Sequence, residues 1–135
     1  GYCTLIPERD ALLSALYFLE AVVESGQYLC YLYAQLQDKT GFHSQYDRID
    51  LPLANMEARD QLITALDQEP LREIAGKQVT DCNPMDGYKF RLEDGSWLLI
   101  RFSGTEPVLR LYCESSTLDR VQEILTWAKS WATYI

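Results

Sequence analysis

Arg101 and Arg110 flank Ser103, Gly104 and Thr105 in RFSGTEPVLRLY (101–112), and those residue types together suit a doubly charged oxyanion. A guanidinium stays charged at any working pH and offers parallel N–H donors that match two oxygens of a phosphate, which an ammonium cannot do. Ser103 and Thr105 add hydroxyls. Gly104 lets the backbone approach a ligand closely and is free to take a positive φ, so that successive N–H groups could point into one concavity as an anion nest. Each charge-assisted hydrogen bond contributes about 1.5–3 kcal/mol. Ser-Gly-Thr is also an ordinary turn composition, Glu106 could pair with either arginine, and arginines near a turn are often only surface charge. Against that plainer reading, Glu106 can neutralise one cation at most. Pro107 also holds Glu106 in an extended backbone that can aim its carboxylate away.

Such a site would be local, because the chain as a whole is acidic. Twenty Asp and Glu against 12 Lys and Arg leave a formal net charge of -8, which repels nucleic acid and anionic membrane surfaces over most of the molecule. No apolar run approaches a membrane span and no signal-peptide pattern opens the chain, so a soluble cytoplasmic protein is expected, with neither nucleic acid nor membrane as a partner. Cys3, Cys30, Cys82 and Cys113 form no CxxC pair and read as reduced, structural thiols. His43 is the only histidine, which excludes two-histidine zinc ligation, and no metal site is expected. Redox, acyl-transfer and zinc chemistry have no supporting constellation.

If the strands on either side of the Ser103–Pro107 turn pair, both guanidinium groups come to one edge. SWLLIRFS and VLRLYCE supply those strands, the second alternating Leu109, Leu111 and Cys113 with Val108, Arg110, Tyr112 and Glu114. Glu93-Asp94-Gly95-Ser96 joins YKFRLE to SWLLIRFS with the Asp-Gly signature of a tight hairpin, and Asp86-Gly87 separates KQVTDCNPM from YKFRLE as a turn. QYDRIDLPL reads as a shorter strand ended by Pro52. Asn55 is placed to cap a helix with Ala58, Leu62, Ala65 and Leu66 on one face, closed by Pro70. Ser116 is placed to cap a last helix, in a capping-box spacing with Asp119, whose core stripe is Leu118, Val121, Leu125, Ala128 and Ala132, with Trp127 and Trp131 as packing anchors.

Upstream, PERDALLSALYFLEAVVESG and QYLCYLYAQLQDKTG read as two helices, the first with Pro7 in its first turn, stopped by Gly26 and Gly41. The boundary is placed near residue 42: a helical segment over 1–42, then a domain over 43–135 in the order strand, helix, four strands, helix. That order predicts an α+β fold, a four- to five-stranded, mainly antiparallel sheet with two helices on one face. A start at Gly1 without methionine, opening almost directly onto a helix, suggests a piece of a longer protein.

RFSGTEPVLRLY resembles the phosphate-binding loop in the last domain of the α-D-phosphohexomutases, the phosphoglucomutase and phosphomannomutase family. The resemblance runs back through DGYKFRLEDGSWLLIRFSGTEP, and IPERDALLSALYFLE is similar to the end of that family's third domain. It implies a fold with the strand and helix order of the TATA-box-binding protein. It also implies a four-domain enzyme interconverting hexose 1- and 6-phosphates through a hexose bisphosphate. Such an enzyme has a phosphorylated serine in its first domain, Mg²⁺ held by an aspartate-rich loop in its second and a sugar-selecting loop in its third. The fourth domain grips the phosphate that is not reacting. By this resemblance Arg101, Ser103, Gly104 and Thr105 contact phosphate, with Arg110 as a fifth candidate. None of the serine, metal and sugar loops lies in this chain, so the expectation is that the fragment alone is inactive, and its sugar preference is not written in it. The partners implied are a hexose phosphate and the preceding domains of the same parent chain. Two other readings stand beside this one. The chain could be a stand-alone, non-catalytic sugar-phosphate-binding module. It could also be a protein-interaction module using the helix over 7–25, whose exposed apolar face could drive dimerisation.

Overall fold

The computed structural model describes residues 10–134, and they divide into two compact units between His43 and Ser44. The first unit holds two helices, α1 (Ala11–Ser25) and α2 (Leu29–Thr40). Asp10 caps α1 by accepting a hydrogen bond from the Leu13 N–H at 2.9 Å. Pro7, expected in the first helical turn, lies outside the described residues. Gly26 and Gly41 end the two helices with φ of 64° and 66°, the left-handed stop that glycine alone adopts without strain. α1 buries no residue among those described, and α2 buries only Gln37. Leu12, Leu16, Leu19 and Val23, the apolar positions that generate the helical periodicity, all face outward.

The second unit is α+β, as expected. Strand β1 (Gln45–Pro52) leads through helix α3 (Met56–Gln68) to an uninterrupted meander: β2 (Glu73–Ile74), β3 (Lys77–Asn83), β4 (Tyr88–Leu92), β5 (Trp97–Phe102) and β6 (Val108–Ser115). Helix α4 (Leu118–Tyr134) closes the unit. The sheet is antiparallel with strand order β1-β6-β5-β4-β3-β2, so α3 carries the chain from one edge to the other. Six strands stand where four or five were expected, because β2, only two residues long, pairs with β3 as an extra edge. Its turn uses Ala75 and Gly76, both with positive φ (47° and 73°), as a two-residue hairpin requires.

Alternation sorts the sheet into two faces. Phe90, Leu98, Ile100, Leu109, Leu111 and Cys113 are fully buried under Leu62 and Leu66 of α3 and Val121, Ile124, Leu125 and Ala128 of α4. Neither helix of this unit packs on the other face. Asn55 caps α3 as expected, accepting from the Ala58 N–H at 2.9 Å, and Trp127 and Trp131 pack partly buried against the core. The start of α4 departs from expectation. Its cap is Thr117, whose Oγ1 accepts from the Arg120 N–H at 3.3 Å, and not Ser116. The core stripe keeps Val121, Leu125, Ala128 and Ala132 but not Leu118, which lies at the edge of the stripe in the first turn and is 51% exposed, while Ile124 on the opposite edge is buried.

Candidate functional site

Arg101 and Arg110 are register partners across β5 and β6, so their side chains leave the face opposite α3 and α4 side by side. Like charges placed directly opposite each other destabilise a sheet, by amounts on the order of the 0.2–1 kcal/mol that matched cross-strand pairs contribute. Folding alone therefore gives no reason for this pair. The same face carries Arg48 on β1 and Lys89 and Arg91 on β4, so five of the chain's 12 basic residues share it with Asp50, Asp81 and Glu114. Two of these cations sit over aromatic rings: Lys89 lies 4.0 Å from the Trp97 ring centre and Arg48 lies 6.0 Å from that of Tyr112.

The two arginines differ in what holds them. Arg101 is half exposed, and its Nε lies 3.2 Å from Asp86 Oδ1, an ionic contact. Among the described residues its Nη groups donate no hydrogen bond. Arg110 is half buried and forms no ion pair among the described residues, although Asp50 lies opposite it in register. The Asp50 carboxylate pairs instead with Arg48 at 3.4 Å. The Arg110 Nε is fully buried with no acceptor. Arg59 Nε and Arg120 Nη2 share that condition, but those two side chains are neutralised elsewhere, by Asp60 and by Asp94 and Glu123. Leaving a buried donor unsatisfied costs about 1–3 kcal/mol, and at Arg110 no carboxylate among the described residues offsets that cost.

Between the arginines the chain turns over residues 103–107, closed by the Ser103 N–H donating to Val108 O at 3.0 Å and the Val108 N–H donating to Glu106 O at 2.8 Å. The Leu53 N–H, just past β1, donates to Pro107 O at 2.8 Å and ties the turn to the sheet edge. Among the described residues the hydroxyls of Ser103 and Thr105 and the N–H groups of Gly104 and Thr105 have no protein partner. Glu106 forms no ion pair with either arginine. Gly104 does not take the positive φ expected for a nest. A Cβ built on it would meet nothing within 4 Å, so what glycine contributes here is an open approach and not a special backbone conformation.

The glycine with a strict structural reason is Gly87. At φ +92°, a Cβ there would stand 2.5 Å from the Ile100 carbonyl oxygen and 3.2 Å from Arg101 Cα. The Asp86-Gly87 turn is thereby pressed against β5 beside Arg101, and Asp86 becomes that arginine's counter-ion. Sequence reasoning treated Asp86-Gly87 only as a separator. Its signal is the β4–β5 register, Tyr88 opposite Ile100, which continued by one step brings Gly87 alongside Arg101.

Surface hollows of roughly 310, 490 and 550 Å³ in this unit lie along α3 and the β2–β3 edge, away from the arginines. Among the described residues no three His, Cys, Asp or Glu side chains converge so as to hold a metal ion, so those residues do not fit Mg²⁺. No helix among them is long and apolar enough to cross a membrane.

Residues 53–126 match the family model described as phosphoglucomutase/phosphomannomutase, C-terminal domain. The chain belongs to that family. The span that matches the phosphoglucomutase/phosphomannomutase C-terminal domain begins just past β1, runs into α4 and contains the turn and both arginines. A probable phosphoglucosamine mutase of Methanothermobacter thermautotrophicus is 30% identical over 115 residues, covering 85% of this chain and 24% of that protein. A phosphoglucomutase/phosphomannomutase of Thermococcus kodakarensis is 29% identical over 121 residues, covering 87% of this chain and 23% of its own length. A phosphopentomutase of the same organism is 32% identical over 74 residues, 55% of this chain and 16% of the relative. The chain thus spans about a quarter or less of the length of these mutases.

Proposed function

We propose that this chain is the C-terminal part of a phosphohexomutase that interconverts hexose 1-phosphate and 6-phosphate in the cytoplasm, and that residues 43–135 are the domain that grips the substrate phosphate that is not reacting. One observation carries the reading: two arginines face each other across β5 and β6 beside a turn in which the Ser103 and Thr105 hydroxyls and the Gly104 and Thr105 N–H groups have no partner among the described residues, on a chain of net charge -8. Arg101 and Arg110 neutralise the dianion, Ser103 and Thr105 donate to its oxygens, and Gly104 leaves room for it.

This set recognises a charge and a tetrahedron of oxygens, not a sugar. That suits an enzyme whose substrate presents either of two phosphates in turn as a hexose bisphosphate reorients, and it suits relatives named for glucosamine, glucose, mannose and pentose phosphates. Holding the remote phosphate fixes the reacting end, so binding energy here appears as rate elsewhere. The phosphorylated serine, the Mg²⁺ site and the sugar-selecting loop belong, on this reading, to preceding domains of the parent, and the 135-residue chain alone is inactive. Residues 1–42 are then the end of the third domain, whose remainder covers the outward apolar face of α1. Left uncovered, that face would favour self-association of the fragment.

The test is Arg101→Ala in the full-length enzyme. It should raise KM for hexose phosphate and lower kcat/KM at least about tenfold, the worth of one charge-assisted hydrogen bond. Unchanged kinetics would refute the assignment.

A further inference from the structure

The counter-ion of Arg101 calls for its own explanation, because a site built only to hold a dianion would keep carboxylates away from it. Asp86 is neither buried nor needed for the core: its side chain is 73% exposed. Nor is it there by drift of a floppy turn. Gly87 is pressed against the Ile100 carbonyl and Arg101 Cα, and this fixes the backbone one residue from Asp86 beside the arginine. The contact is to Nε at 3.2 Å, and among the described residues the Nη groups of the guanidinium donate no hydrogen bond. Arg110, opposite, has no carboxylate on it. The ligand-free site is therefore one compensated and one uncompensated arginine.

We infer that Asp86 is a built-in competitor for the anion, lowering the grip of Arg101 so that a bound phosphate can leave. The inference rests on the phosphate-binding reading above and concerns the strength of that same site. A phosphate bound by Arg101 would share that guanidinium with the carboxylate, and two anions on one guanidinium are separated by on the order of 6 Å. At the high effective dielectric of an exposed surface and physiological salt, that repulsion weakens a dianion's binding about fivefold and a monoanion's about twofold, because the energy scales with the ligand's charge. Such tuning serves a site that must release one phosphate and accept the other from the same substrate. It also accounts for a carboxylate placed where it opposes the turn's other groups.

The experiment compares the wild-type chain with Asp86→Asn and Arg101→Ala. Each is titrated with glucose 6-phosphate, a dianion, and glucose 6-sulfate, a monoanion of the same shape, with amide chemical shifts as the readout. The expected result is that Asp86→Asn binds the phosphate about fivefold and the sulfate about twofold more tightly than wild type, while Arg101→Ala weakens both. Unchanged or weaker binding in Asp86→Asn, with wild type still dependent on Arg101, overturns the competitor role and leaves the phosphate site standing. Binding insensitive to Arg101→Ala, or no binding by any folded variant, removes the phosphate site and the competitor with it.

Discussion

Replacing Gly87 with alanine tests the contact that places Asp86 beside Arg101. Two costs add at this position. An L-residue at φ +92° is strained by about 1–2 kcal/mol, and alanine's reduced freedom in the unfolded chain returns about 0.4–1 kcal/mol of that. The new methyl would also stand 2.5 Å from the Ile100 carbonyl oxygen, a backbone atom in the middle of β5 that cannot swing aside as a side-chain tip can. Relieving that overlap should cost a further 1–3 kcal/mol or about that, as overpacking does elsewhere. Gly95 supplies the control, since it has a similar φ of +83° but nothing within 4 Å of a built Cβ. Urea unfolding followed by tryptophan fluorescence should therefore show Gly87→Ala less stable than Gly95→Ala by about 1–3 kcal/mol. Equal losses in the two variants would mean that the turn does not press on β5, and the fixed position of Asp86 would lose its basis.

Further outcomes follow from the core and from the clamp at Arg120. Arg120 donates to Asp94 Oδ2 (3.0 Å), Ala75 O (2.8 Å) and Glu123 Oε2 (2.7 Å), so Arg120→Met should lower stability by about 2–4 kcal/mol in the same urea assay. Burial pushes the Asp94 carboxyl up, but the Ser96 N–H and hydroxyl and the Arg120 guanidinium outweigh it and hold the group below the usual range. Its contribution to stability is present above the unfolded value near pH 4 and lost as pH falls through the lower folded value; acid titration of stability should flatten in Arg120→Met. Burial pushes the Cys113 thiol up to about 12, and it is inaccessible, so peptide mapping after thiol labelling at pH 8 should find exposed Cys30 modified and Cys113 modified only on unfolding. Leu118→Ala should change stability by less than about 0.5 kcal/mol, whereas Ile124→Ala should cost about 2–5 kcal/mol.

The parts of this molecule legible from its sequence are those where one local rule acts alone. Strict alternation through VLRLYCE sets which side of β6 is buried, and so places Arg110 on the same side as Arg101 once the strands pair. Asn55, Gly26 and Gly41 likewise mark helix ends because capping chemistry is local. What was hidden depends on distant partners. The turn before β3 carries alanine where asparagine or aspartate would announce a two-residue hairpin, and Ala75 takes φ 47° while its carbonyl accepts from Arg120, 45 positions away. Ser116 and Thr117 are adjacent hydroxyl residues, and residue type does not say which of them caps α4. Glycine at 104 permits a positive φ without demanding one, so residue type alone could not distinguish a nest from an open approach. The pairing of Asp86 with Arg101 needs the β4–β5 register, which a turn signal does not contain.

The central claim is that Arg101, Arg110 and the turn between them receive a phosphate dianion. Its most direct test is a titration of the chain with glucose 6-phosphate in which every backbone amide is followed. Saturable shifts are expected at Ser103, Gly104 and Thr105, with binding weakened at least about tenfold by Arg101→Ala and also by Arg110→Ala. Shifts that cluster on another surface, or that survive both substitutions unchanged, would contradict that claim.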